Sequence, residues 1–86
     1  MDDAQIRDRI EELEDEERRL RSQESAAAEV GRDDVLAADR DRLAQIKVEL
    51  DQLWDLLRRR KALRDAGEDP DTAALRDPGT VEGYLG

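Results

Sequence analysis

Four leucines, Leu36, Leu43, Leu50 and Leu57, recur every seven residues, and Ile46 and Leu53 fill the alternate slots. Steps of three and four keep one apolar stripe on a helix; a strand, whose side chains alternate with a period of two, cannot hold it. Asp39 and Arg60 continue the series at its ends, so the apolar seam is strongest from 43 to 57. The spacing predicts a long helix over about 34–66. Gly67 supplies a left-handed stop, and Pro70 forbids continuation.

An earlier helix is predicted over about 3–29. Its apolar positions, Ile6, Ile10, Leu13 and Leu20, step by four, three and seven, with Glu17 in the vacant slot. Asp2 and Gln5 have capping-box spacing. Glu14–Arg18, Asp15–Arg19 and Glu17–Arg21 are candidate i,i+4 ion pairs, and Ala26, Ala27 and Ala28 extend the helix. Gly31 ends it, and Asp33 or Asp34 is expected to cap the next helix. So short a connection makes the two helices antiparallel neighbours. A pivot at 31–32 sets Leu20 against Leu43, Leu13 against Leu50, Ile10 against Leu53, Ile6 against Leu57, and Glu17 against Ile46.

The predicted fold is therefore all-α: an antiparallel two-helix, coiled-coil-like hairpin over residues 1–66, then a short irregular tail over 67–86. In the tail, Asp69 and Pro70 open a short helical turn reaching about Arg76, and Asp77-Pro78-Gly79 reads as a turn. Val81, Tyr84 and Leu85 have no slot in the seam.

Composition agrees with a narrow seam and a wide polar surface. Of 86 residues, 45% are charged and only Trp54 and Tyr84 are aromatic. The net charge of −9 is uneven: residues 1–29 hold eleven acids against five bases, and residues 67–86 five acids against one base. An acidic total repels nucleic acid and anionic membrane, so neither is expected as a partner. The chain has no Cys and no His, which removes thiolate chemistry, disulfides and the commonest general base and metal ligand. The sequence has no apolar run of membrane-spanning length and no signal-peptide pattern, so a cytoplasmic location is expected.

A lone hairpin with so narrow a seam is marginal. Helix 2 also carries a second stripe, Leu56 and Leu63 with Val48, pointing away from Leu50 and Leu57. Either the tail folds back over it with Leu75, Val81, Tyr84 and Leu85, or a second copy covers it. The sequence reading favours the second copy: a homodimer forming a four-helix bundle.

Trp54 is expected to pack on the flank of the seam beside Ile10 and Leu13, with its N–H at the rim. Arg58, Arg59, Arg60, Lys61 and Arg64 could contact an anion. Spread around the C-terminal end of helix 2 and beside Asp2 and Asp3, they are better read as structural ion pairs. Glu11, Glu12, Glu14, Asp15, Glu16 and Glu17 spread over several faces and lack the His of a di-iron bundle site, so no metal is expected. Glu17 alone falls in the seam, as a register device. No nucleophile–base pair or Gly-rich phosphate loop is present, so neither catalytic residues nor a cofactor is expected.

Several strings resemble a small actinobacterial family, domain of unknown function 2630. They are Val48-Glu49-Leu50-Asp51-Gln52, Trp54-Asp55-Leu56-Leu57-Arg58, Arg60-Lys61-Ala62, Asp65-Ala66-Gly67-Glu68-Asp69-Pro70 and Val81-Glu82-Gly83-Tyr84. Met1-Asp2-Asp3, Ile6, Ile10 and Glu16-Glu17 also fit. The resemblance implies no activity, site or partner. Members often carry His where this chain has Arg18 and Cys where it has Leu53, which weakens metal and redox readings here.

The expected function is non-enzymatic: a protein–protein interaction or scaffold module acting through helix faces. Trp54, Leu56, Leu63, Tyr84 and Leu85, with Val81, form the candidate surface. The alternative is a regulatory binder of an acidic or phosphorylated ligand through Arg58 to Arg64. A third reading, an enzyme working through carboxylates alone, needs a buried carboxylate cluster in a pocket.

Overall fold

The computed structural model describes the backbone of residues 1–85 and the side chains of residues 1–83. Two long helices, α1 (Asp3–Val30) and α2 (Asp33–Asp65), pack as an antiparallel hairpin. A single 3₁₀ turn, Pro70–Thr72, and a short helix, α3 (Pro78–Leu85), follow.

The helix ends follow from local chemistry. Asp2 accepts from the Gln5 N–H at 2.8 Å while the Gln5 side chain accepts from the Asp2 N–H at 2.9 Å, closing the capping box. Gly31 stops α1 at φ 71°, and the Arg32 N–H returns to the Ala27 carbonyl at 2.9 Å. Gly67 does the same for α2 at φ 75°, with the Glu68 N–H on the Leu63 carbonyl at 2.8 Å. The expected Asp33 or Asp34 cap is corrected. Arg32 holds the cap position without a side-chain bond, and both aspartates lie in the first turn, where their charge still suits the helix dipole. On α1, Asp15 pairs with Arg18 and Glu17 with Arg21.

The core comprises Ile6, Ile10 and Leu13 from α1 and Ile46, Leu53, Leu56 and Leu57 from α2, with Leu20, Leu50 and Ala73 packed against it. Lateral ion pairs join the two helices across the seam. Arg9 binds Glu49 through two nitrogens at 2.6 and 3.1 Å, and Arg42 binds Glu16 at 2.6 and 2.9 Å. Asp39 and Arg60 close the seam at either end, both buried.

The seam is rotated from its expected centre. Ile46 and Leu53 are fully enclosed, whereas Leu43 and Leu50 are half-buried. One residue is about 100° of helix, so a seam centred on Leu53 leaves the next side chain on the flank. Trp54 is accordingly 43% exposed, and its expected place in the core is corrected.

The tail is corrected too. The short turn ends at Thr72 instead of reaching Arg76, and Asp77-Pro78-Gly79 opens α3. Asp77 accepts from the Thr80 N–H at 3.0 Å and from the Thr80 hydroxyl at 2.8 Å, and Pro78 sits at the first helical position. The 3₁₀ turn and α3 both pack on α2 and, among the described elements, not on α1. The molecule is thus a slab of 55 × 25 × 14 Å, with α2 between its two neighbours. Val81, 1% exposed, anchors α3.

Candidate functional site

The tail decides what the second stripe of α2 does. Leu56, expected on an open face, is 3% exposed and joins the core, with Ala73 of the tail packed against that cluster. It is corrected from a partner contact to a core residue. Leu63 is half-buried above it. Tyr84 and Leu85, the other two apolar candidates, lie outside the residues whose side chains are described.

Around Leu56, side chains of α2 hold the tail backbone. Arg60 donates through Nη1 to the Pro70 carbonyl at 3.2 Å. Arg59 donates to the Ala74 carbonyl, and Gln52 Nε2 to the Arg76 carbonyl at 3.1 Å. Two charged pairs join them: Arg60 Nη1 with Asp71 Oδ1 at 2.9 Å, and Arg76 Nε with Asp55 Oδ2 at 3.8 Å. Asp55 is itself buried and held by Arg59 at 3.1 Å.

Arg60 is the junction of the molecule. Its Nε donates to Asp3 Oδ1 at 2.7 Å while Nη1 serves the tail, so one guanidinium ties the start of α1 to residues 70–71. Arg64 reaches the other Asp3 oxygen at 2.8 Å. The hydrogen bond from Arg60, with a second from Arg64, holds the Asp3 carboxyl below its ordinary value of 3.8.

This geometry answers the anion reading. Arg60 is buried and already bound to two carboxylates, those of Asp3 and Asp71. Arg59, Lys61 and Arg64 pair with Asp55, Asp65 and Asp3. Arg58 is exposed and has no ion pair among the described residues. Among those residues, too, no cluster of three or more acidic, His or Cys side chains is placed to hold a metal. None of the described helices is long and apolar enough to cross a membrane.

Two open features remain. Trp54 stands exposed about two thirds of the way along α2. Separately, an open groove of about 740 Å³ is bounded by Met1, Gln45, Val48, Gln52, Leu53 and Leu75. Met1 and Leu75 are large apolar groups left in solvent there.

The chain matches the model of a family described as "Protein of unknown function (DUF2630)" over residues 2–86. It belongs to that family. It is also similar to the "Uncharacterized protein Rv0898c" of Mycobacterium tuberculosis and the "Uncharacterized protein Mb0922c" of Mycobacterium bovis. Each is 52% identical over 48 residues, covering 56% of this chain and 55% of the relative. The chain thus spans about half the length of these curated relatives. No solved structure matches it significantly. The DUF2630 match runs through both helices and the tail, so the tail is part of the family's unit.

Proposed function

We propose that this DUF2630 protein works through contact and not through catalysis: a small helical interaction module that pairs with a second copy of itself. The observation behind this reading is Trp54. An indole left 43% exposed on a rigid helix is an unusual expense of apolar surface in a chain with so few aromatics. Tryptophan is among the commonest anchors of protein interfaces, where its burial supplies a large share of binding energy. The half-buried Leu43 and Leu50 extend apolar surface along α2 toward that flank. A second hairpin laid there would complete a four-helix arrangement. The anion-binding reading has less support, because most of its cations already have carboxylate partners.

Sedimentation equilibrium at micromolar concentration tests this reading. The wild type is expected at twice its 9.8 kDa chain mass, with Trp54 emission shifting to the blue on association. Trp54→Ala should weaken pairing by about tenfold or more, as loss of an interface anchor does. A monomer throughout, with unshifted emission, would refute self-association.

A further inference from the structure

We infer that α2 carries a docking strip for an extended peptide, and that the tail is its built-in, displaceable occupant. The strip runs through Gln52, Asp55, Leu56, Arg59 and Arg60, on a different part of α2 from Trp54, so this inference is independent of the self-association proposed above.

The contacts divide into two kinds. Gln52, Arg59 and Arg60 donate to backbone carbonyls of residues 76, 74 and 70. Bonds to carbonyls hold any extended chain, whatever its side chains, as in other modes of peptide capture. The remaining contacts read side chains: Arg60 takes the Asp71 carboxylate, Leu56 lies in the cluster on which Ala73 packs, and Asp55 attracts Arg76. The strip therefore fits a peptide with an acid, a small apolar residue two positions on, and a base five positions on.

The way the tail is attached makes it displaceable. Its 3₁₀ turn and α3 rest on α2 alone among the described elements, so leaving does not open the α1–α2 hairpin. The connection, Ala66 to Asp69, is exposed and turns at Gly67 with φ 75°. The apolar hold is small: Val81 is enclosed and Ala73 half-buried, while Leu75 is 48% exposed. Polar contacts do the rest, and water can replace them. As a tethered ligand the tail has an effective concentration on the order of millimolar, so it screens out weak outside peptides and yields to tighter ones of the same pattern. That is autoinhibition by occupancy.

The test uses the full-length protein and a fluorescent peptide of residues 68–86, with anisotropy as the readout. Val81→Asp places a charge in the anchor of α3 and leaves the strip intact. It should bind the peptide at least about tenfold more tightly than the wild type, because the tethered competitor is weakened. A peptide with Asp71→Lys and Arg76→Glu should bind this variant about tenfold more weakly than the native peptide. Circular dichroism checks that the hairpin is retained. If Val81→Asp loses it, Asp77→Ala, which removes only the α3 cap, decides the matter with a smaller gain in the same direction. Equal affinity for the wild type and the folded variant, no binding by either, or indifference to charge reversal would overturn the inference.

Discussion

Arg60 and Trp54 are six residues apart on one helix, and the cation is the more deeply buried of the two. The repeat puts Arg60 at an end of the seam, where a cation is costly unless paired. The chain supplies Asp3 from α1 and Asp71 from the tail, so the guanidinium is buried while the indole is not. The charge pairing of Arg60 with the acidic start of α1 was legible, because antiparallel packing sets the two ends side by side. The rotation was not legible, since heptad spacing defines an apolar stripe but not which edge of it turns toward the partner helix. The Asp3 carboxyl, held low mainly by Arg60 and then by Arg64, gives a pH prediction. A depressed acid contributes stability that is present above its unfolded value and lost as pH falls through the folded one. Asp3→Asn should therefore melt below the wild type at pH 7, and the gap should be smaller at acid pH, as the Asp3 carboxyl takes up its proton. Thermal melts followed by circular dichroism check this; an unchanged gap at acid pH would contradict it.

Among the elements, the two long helices were readable almost to the residue, because capping boxes and left-handed glycines act locally. α3 was not read, although its signals were present: Asp77 before Pro78, with Thr80 in the first turn. Pro78-Gly79 has the composition of a turn, and the two readings diverge only when Val81 finds a surface to pack on. The second stripe was visible in Leu56 and Leu63, but its cover was not, since sequence period cannot distinguish a folded-back tail from a second copy. Leu56→Ala should cost about as much as Leu53→Ala, roughly 2–5 kcal/mol in a urea titration, as for other enclosed leucines. A cost well under 1 kcal/mol would mean that Leu56 is not covered. Gly83 lies in α3 with open space where a Cβ would go. Gly83→Ala should stabilise α3 by up to about 1 kcal/mol and slow amide exchange in the tail. No slowing there would count against α3 as a helix.

The whole molecule is a slab, because α2 is shared: α1 lies on one side and the tail on the other. Such a shape has little interior and much surface, which suits the contact role proposed above. Its acidic tail lies along a helix whose C-terminal half is rich in cations, so charge complementarity favours the closure that Val81 anchors. Closure also removes Leu56 from the surface. The most direct test of this account is the nuclear Overhauser spectrum of the methyl-labelled protein. It predicts cross-peaks from the Val81 methyls to side chains of α2 and from the Ala73 methyl to the Leu56 cluster. Random-coil shifts for Val81 and Ala73, with no contacts between the tail and α2, would contradict it.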